Sequence, residues 1–90
     1  MKLEKIRFSP LALKHMEYWY KNDQITYLKI RKLIESAMSD PTSGIGKPEK
    51  LSGDLKGYWS RRINLRDRLV YTVRGRDLYI IQARFHYEEH

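Results

Sequence analysis

The sequence contains no cysteine, which excludes a disulfide framework and any metal site built on thiolates. It also lacks a long apolar run. In the opening stretch MKLEKIRF, charged side chains interrupt every apolar pair. The stretch therefore lacks the continuous apolar run that a secretion signal or a membrane span needs. His15 and His90 have no partner at metal-ligand spacing, so we expect a surface helix residue and a terminal residue. The sequence therefore predicts a cytoplasmic protein with no metal, no cofactor and no membrane partner.

Positive charge is what the sequence has in excess. Eighteen Lys and Arg against eleven Asp and Glu give a net charge of +7, and residues 44–68 contribute +4 of it. Tyr58 and Trp59 lie in the same stretch. Cations that neutralise phosphate, interleaved with rings on which bases stack, are typical of proteins that bind single-stranded nucleic acid. A solvated sheet face with snorkelling arginines fits the same pattern.

The first half of the chain predicts a short strand followed by two helices. Ser9 and Pro10 are typical of a helix N-cap and first turn. Asp23 can cap the second helix, and Asp40 followed by Pro41 ends it. The apolar residues that predict the buried stripes are Ala12, Met16 and Trp19 in the first helix, and Tyr27, Ile30, Leu33, Ile34 and Ala37 in the second.

The second half of the chain predicts strands. GYWSRRIN, RLVYTV and LYIIQARF are rich in β-branched and aromatic residues, and RGRD between the last two predicts a hairpin turn. Strict alternation places Leu78, Ile80, Gln82, Arg84 and His86 on one face of the last strand, and Tyr79, Ile81, Ala83, Phe85 and Tyr87 on the other.

The register of this hairpin stays open at the sequence level. A two-residue turn at Gly75 and Arg76 places Arg68 opposite Ala83, whereas a three-residue loop places it beside Arg84 and His86. We predict one α+β domain over residues 1–90, in which an N-terminal strand precedes a two-helix antiparallel hairpin packed on a small twisted antiparallel sheet.

An acid, several arginines and a histidine lie in separate segments that this fold brings to one sheet. RNA cleavage needs a base for the 2′-hydroxyl proton, a cation for the phosphorane charge and an acid for the leaving 5′-oxygen. Glu49, Arg68 and His86 can supply these roles without a metal ion. Ordinary interpretations also exist: an ion pair within the loop for Glu49, one with a neighbouring aspartate for Arg68, and a fraying chain end for His86.

Four motifs, GIGKPEKL, GYWSRRIN, RDRLVYTV and ARFHY, resemble in order and spacing the YoeB-type (Txe/YoeB) toxins of bacterial type II toxin–antitoxin systems. The resemblance covers nearly the whole chain and implies the RelE-like microbial RNase fold. It implies a ribosome-dependent endoribonuclease, an mRNA interferase, that cuts A-site codons and inhibits translation. It also implies a YefM- or Phd-type antitoxin partner, dimers, and contact with operator DNA only through the antitoxin complex.

The resemblance also assigns roles to individual residues. Glu49 of GKPE corresponds to the family's general base, Arg68 of RLVY to the residue that stabilises the phosphorane, and His86 to the general acid. Tyr87 is expected to order the substrate or to stack on it. The other basic residues expected to contact RNA are Lys47, Lys50, Arg61 and Arg62.

Two departures from the family pattern and two alternative functions stay open. Many members carry a lysine where this chain has Ser52, and Lys50 is the nearest substitute in sequence. Residues Glu88–His90 follow the HY pair, and we expect them to form a mobile tail with little effect. The alternatives are a non-catalytic nucleic-acid or antitoxin-binding module with the same fold, and an enzyme that cuts free RNA.

Overall fold

The computed structural model describes residues 2–87, which form two helices and five strands. The elements are β1 (Lys5–Phe8), α1 (Pro10–Asn22), α2 (Gln24–Ser39), β2 (Glu49–Lys50), β3 (Trp59–Arg62), β4 (Arg68–Arg74) and β5 (Asp77–Gln82). A 3-10 turn, Gly53–Leu55, precedes β3. The strands form one sheet in the order β1-β5-β4-β3-β2. Neither α1 nor α2 is long and apolar enough to cross a membrane.

The predicted helix boundaries are confirmed. Ser9 Oγ accepts a hydrogen bond from the Ala12 N–H at 3.0 Å, and Asp23 Oδ1 accepts one from the Thr26 N–H at 3.1 Å. Asp23 alone separates α1 from α2, and α2 ends at Ser39 with Asp40 as its C-cap. Both helices therefore begin where a side-chain oxygen satisfies a backbone N–H that has no partner inside the helix.

The apolar stripes of both helices pack on one face of the sheet, as the spacing predicts. The buried core includes Ala12 and Trp19 of α1, Ile30, Leu33, Ile34 and Ala37 of α2, and Leu69, Tyr71, Leu78 and Ile80 of the sheet. Met16 and Tyr27 of the predicted stripes are only partly buried against it. His15 is also buried, so the expectation of a surface histidine is wrong. It lies three residues after Ala12 and four before Trp19, which places it on the same helical stripe.

The predicted α+β class is confirmed, and the sheet is mixed. β1 pairs parallel to β5, from Lys5 opposite Asp77 to Phe8 opposite Ile80, while the other neighbouring strands are antiparallel. The predicted antiparallel sheet therefore applies to four of the five described strands. The alternation within a four-residue strand shows which side is apolar but not in which direction the neighbouring strand runs.

A β-bulge changes the predicted register of the last hairpin. The turn has two residues, since Arg74 pairs with Asp77, but the pairing shifts between Tyr71 opposite Ile80 and Val70 opposite Gln82. The extra residue moves Ala83 into the core beside Ile80, so the prediction of strict alternation is wrong beyond Ile80. The Arg68 N–H donates to the Phe85 carbonyl at 3.0 Å, so the bulge, and not loop length alone, sets the neighbours of Arg68.

Arg61 is fully buried beneath the loop that joins α2 to β2. Its Nη1 donates to Ser36 Oγ at 2.8 Å and to the Ile45 carbonyl at 2.9 Å. Its Nη2 donates to the carbonyls of Asp40 at 2.7 Å and Ser43 at 2.8 Å. Because the side chain is enclosed, the expectation that Arg61 contacts RNA is wrong in this fold.

The fifth donor of Arg61, Nε, completes the network through Tyr71. Nε donates to Tyr71 Oη at 2.9 Å, and Tyr71 Oη donates to the Pro41 carbonyl at 2.6 Å. Burial raises the pKa of the Tyr71 hydroxyl, against the opposing effect of the Arg61 guanidinium. Gly46 closes the loop: its φ is +83°, and a Cβ there would lie 2.6 Å from Leu33 Cδ2.

We predict that Arg61→Met lowers the free energy of unfolding by about 3 kcal/mol, because it leaves several partly buried acceptors without their donor. The measurement is urea denaturation followed by circular dichroism. The matched control is Arg62→Met at the exposed neighbouring position, which is expected to change stability by less than about 0.5 kcal/mol. Equal losses in the two variants would contradict a structural role for Arg61.

Candidate active site

The sheet face opposite the helices carries the polar residues of the candidate site. Alternation along β3 and β4 sends Arg61, Leu69 and Tyr71 toward the helices and the residues between them to the other side. We call that second surface the open face. Its members at this end of the sheet are Glu49, Ser60, Arg62, Arg68 and Val70.

Strand pairing places Glu49 and Arg68 on the open face in adjacent rows. Glu49 pairs with Ser60, and one row further along β3, Arg62 pairs with Arg68. Two strand spacings, about 10 Å, separate β2 from β4. The carboxylate and the guanidinium therefore border the space beside Ser60.

Arg68 is held by backbone oxygens and not by the neighbouring aspartate. Its Nη1 donates to the Asn64 carbonyl at 2.8 Å and to the Asp67 carbonyl at 3.1 Å. These contacts restrict the guanidinium without neutralising its charge. The ordinary interpretation of Arg68 as one half of a surface ion pair with Asp67 does not match this geometry.

The C-terminal segment, residues 83–87, leaves the strand and returns to the open face. Phe85 has a φ of +68°, which is uncommon for a residue other than glycine and is typical of a turn. Ser60 Oγ donates to Tyr87 Oη at 3.3 Å, and the rings of His86 and Tyr87 stack with centroids 4.7 Å apart. Tyr87 therefore reaches the same serine that pairs with Glu49.

The His86 ring is exposed, and one of its two nitrogens contacts the backbone. Its Nδ1 lies 2.9 Å from the Tyr87 carbonyl oxygen, which can only accept, so this nitrogen carries a hydrogen. Nε2 is then the nitrogen that can take up or release a proton. Such a ring can act as an acid through Nε2–H when it is protonated.

Four side chains, which we call the tail clamp, hold the C-terminal segment: His15, Trp19, Asp67 and Gln82. His15 Nδ1 accepts from the Ala83 N–H at 3.0 Å, and Trp19 Nε1 donates to the Ala83 carbonyl at 2.7 Å. Asp67 Oδ1 accepts from the Phe85 N–H at 2.7 Å. The backbone polar groups just before His86 are thus satisfied by side chains from α1 and from the loop before β4.

Gln82 completes the tail clamp from the end of β5. Its Nε2 lies 2.8 Å from the Arg84 carbonyl oxygen and 3.0 Å from those of Phe85 and His86. The two amide hydrogens are therefore shared among three acceptors that follow one another in the chain. This arrangement curls the segment around the glutamine side chain.

The two buried ionisable groups of the tail clamp have shifted pKa values. Burial lowers the pKa of His15, the Arg84 charge lowers it further, and Asp67 opposes the shift. Burial alone would raise the pKa of Asp67, but hydrogen bonds from Asn64 and the Phe85 N–H, with the charges of Arg66 and Arg84, bring it below its usual value. The clamp therefore contains a neutral imidazole and an ionised carboxylate near neutral pH.

Arg84 does not lie beside Gln82 and His86 as predicted. Its guanidinium carbon lies 3.4 Å from the centroid of the Tyr18 ring of α1 and 4.5 Å from that of Phe85. These are cation–π distances. β5 ends at Gln82, so strand alternation no longer determines the side on which the Arg84 side chain lies.

The structure separates the predicted site residues into those it brings together and those it does not. Glu49, Arg62, Arg68 and Tyr87 share the open face, and His86 stacks on Tyr87. Lys50 pairs with Trp59 on the opposite side of β2, so it does not replace the family lysine beside Glu49. Lys47 is exposed in the preceding loop with a φ of +50°, and Ser52 precedes the 3-10 turn. The expected tail, Glu88–His90, lies outside the described residues.

Four residues of this region are missing from the sequence-based set: His15, Ser60, Asp67 and Gln82. Helical spacing between Ala12 and Trp19 could have placed His15 in the core. Alternation with Arg62 could have placed Ser60 on the open face. The roles of Asp67 and Gln82 depend on the bulge and on the turn at Phe85, for which the sequence carries no clear signal.

Comparisons with known proteins cover most of the chain. Residues 8–87 match the family model described as the YoeB-like toxin of bacterial type II toxin–antitoxin systems. Toxin YoeB of Synechocystis sp. is 49% identical over 84 residues, which cover 93% of this chain and 98% of that protein.

Solved structures give the same result. The YoeB/ParE toxin from Agrobacterium tumefaciens has a TM-score of 0.92 and 43% identity, covering 93% of this chain and 100% of that one. YoeB of Staphylococcus aureus, solved in a heterotetrameric complex with YefM and also as a dimer, has a TM-score of 0.86 and 43% identity, covering 97% and 100%. The chain therefore belongs to the YoeB-like toxins of bacterial type II toxin–antitoxin systems.

Proposed function

We propose that this toxin is a ribosome-dependent mRNA endoribonuclease that cuts A-site codons and so inhibits translation. The observation that carries the proposal is the contact between Ser60 Oγ and Tyr87 Oη. Because Ser60 also pairs with Glu49, this contact joins the C-terminal segment to β3, directly beside the strand that bears the candidate base. Arg62 and Arg68 lie in the adjacent row.

The proposed reaction is a transphosphorylation. Glu49 takes the proton of the 2′-hydroxyl, the 2′-oxygen attacks the adjacent phosphorus, and the bond to the 5′-oxygen breaks. Arg68 and Arg62 stabilise the additional charge of the phosphorane. His86 delivers the Nε2 proton to the leaving 5′-oxygen. The products carry a 2′,3′-cyclic phosphate and a 5′-hydroxyl, so no water is consumed in this step.

Dependence on the ribosome is supported by the family resemblance and by the shape of the site. Glu49 and His86 are exposed, and the site is an open sheet face and not a cleft that could orient RNA by itself. A ribosome would supply the oriented codon, and the net charge of +7 favours association with its RNA. Such an activity would place the protein in the cytoplasm.

We predict that Glu49→Gln, Arg68→Ala and His86→Asn each reduce the rate of A-site cutting by a factor of about 100 or more. Glu17→Gln on the exposed side of α1 is the matched carboxylate control and is expected to leave the rate unchanged. The measurement is primer extension on mRNA bound to programmed ribosomes. Unchanged cutting by all three variants would contradict the assigned roles.

The same assay separates the proposed function from its alternatives. Omission of ribosomes is expected to abolish cutting of the same mRNA by the wild-type protein. Efficient cutting of free RNA would instead identify a ribosome-independent nuclease. RNA binding without cutting under either condition would identify a binding module.

We further propose that a YefM- or Phd-type antitoxin binds this chain, since the Staphylococcus aureus relative assembles with YefM. Two adjoining surface pockets along α2 share Lys29 and Lys32, and the groove that they form together has the chemistry for an acidic amphipathic segment of such a partner. Its exposed aliphatic residues are Ile25, Leu28 and Ile45, and its basic residues are Lys29, Lys32, Lys47 and Arg62. The apolar floor favours a peptide over RNA as the occupant.

The position of this groove gives a reason for inhibition. Arg62 lines one end of the groove and also pairs with Arg68 on β4. Carboxylates of a bound antitoxin would neutralise a cation that mRNA phosphate needs.

We also propose that this chain forms dimers, since the Staphylococcus aureus relative does so. We propose that it contacts operator DNA only through the antitoxin complex.

We predict that Lys29→Glu with Lys32→Glu weakens antitoxin binding by a factor of 10 to 100, because like charges would then face each other in the groove. The measurement is calorimetric titration of the Glu49→Gln toxin with the protein encoded by the adjacent reading frame. Lys14→Glu with Lys21→Glu on α1 changes the net charge equally and is the control. An equal loss in the control pair would contradict this docking site.

A further inference from the structure

We propose that His15 is a positioning residue for the site: its neutral imidazole fixes the C-terminal segment so that His86 and Tyr87 reach the open face. This inference rests on the proposed function, since it assigns those two residues to the reaction. His15 itself contacts neither RNA nor Glu49. It lies on α1, on the helix side of the sheet, and acts through Ala83 and Phe85.

The geometry ties His15 to both of these residues. Nδ1 accepts from the Ala83 N–H at 3.0 Å, and the imidazole meets the Phe85 ring edge-to-face with centroids 5.7 Å apart. Only 6% of His15 is exposed, so solvent cannot readily replace either contact. Ala83 lies three residues before His86, and Phe85 is directly bonded to it. A displacement of His15 would therefore also displace His86 and Tyr87.

The C-terminal segment needs such fixation because its backbone is not in a preferred conformation. Phe85 has a positive φ, and the bulge interrupts the ladder of β5 just before Ala83. Residues in sparsely populated regions of backbone space persist only when surrounding contacts hold them. The tail clamp supplies these contacts. His15 is the member of the clamp whose contact a change of protonation near physiological pH would alter.

Protonation of His15 would remove its contact with the segment. A backbone N–H can only donate, so Nδ1 must be unprotonated to accept from Ala83. A protonated Nδ1 would point a second hydrogen at the same N–H. The charged groups that face the ring are Arg84 of the segment, which opposes protonation, and Asp67 of the loop before β4, which favours it.

The first test compares His15→Asn with His15→Leu. The Asn oxygen can occupy the position of Nδ1 and accept from Ala83, whereas leucine fills the space without an acceptor. In the ribosome assay we expect His15→Leu to lower kcat at least tenfold with little change in KM. The kcat of His15→Asn is expected to stay within about threefold of the wild-type value. If His15 only filled space, leucine would replace it at least as well as asparagine does.

The second test follows the segment directly by trypsin cleavage after Arg84, with the released peptide measured by mass spectrometry. We expect slow cleavage in the wild type and His15→Asn, and at least tenfold faster cleavage in His15→Leu. If His15→Leu does not fold, the proposal is still tested by comparing the pH dependence of trypsin cleavage in the wild type and in His15→Asn.

The pH dependence has a defined sign. Because folding lowers the pKa of His15, the unfolded or released state binds the extra proton, and the ordered segment is lost as pH falls below about 6.5. Cleavage after Arg84 should therefore accelerate relative to the other tryptic sites between pH 7.5 and the acid limit of the assay. His15→Asn should lack this acceleration.

The two proposals fail in distinguishable ways. A wild-type protein that never cuts on ribosomes would overturn the proposed function, while the trypsin experiment would still test the positioning role. Equal kcat values for His15→Leu and wild type, or identical pH dependence of trypsin cleavage in wild type and His15→Asn, would overturn the role of His15.

Discussion

The buried guanidinium of Arg61 is the interaction on which the loop side of the site depends. The loop after α2 turns carbonyl groups toward β3, and backbone acceptors that are partly removed from water need donors. Arg61 donates to the carbonyls of Asp40, Ser43 and Ile45, so that one side chain of β3 holds the loop that leads to Glu49. The Arg61 charge is thereby stabilised by carbonyl dipoles and not by a carboxylate. Its contribution to the candidate site is to hold the loop in place.

The C-terminal segment follows the same logic with different residues. A hydrophobic core cannot hold a five-residue segment that leaves its strand, so directional hydrogen bonds from His15, Trp19 and Asp67 do so. The chemistry proposed for this family member needs exposed groups that can reach RNA on the ribosome. Buried polar side chains therefore determine where the exposed candidate residues His86 and Tyr87 lie.

The sequence predicts local features well and long-range register less well. Ser9, Asp23 and the apolar spacing of α2 act within one turn of helix, so their outcome can be derived without the rest of the fold. The bulge between Val70 and Tyr71 depends on packing across strands, and it explains why Gln82 lies opposite Val70 and why Ala83 lies in the core, against their predicted sides. Arg61 shows a further limit of the sequence. Alternation places Arg61 and Arg62 on opposite faces of β3, but only the folded loop shows that the face with Arg61 is covered. Glu49, Arg68 and His86 are candidates because RNA cleavage needs a base, a cation and an acid, whereas only the family motifs assign their individual roles and add Tyr87.

The central claim is that Glu49, Arg68 and His86 cut mRNA through attack by its own 2′-hydroxyl. The most direct measurement uses programmed ribosomes with an mRNA in which a single 2′-deoxynucleotide replaces the ribonucleotide before the cut bond. The account predicts that this mRNA still occupies the A site but is not cut there, while the all-ribose mRNA yields a 2′,3′-cyclic phosphate and a 5′-hydroxyl. Cutting of the deoxy-substituted mRNA at the same bond would contradict the account.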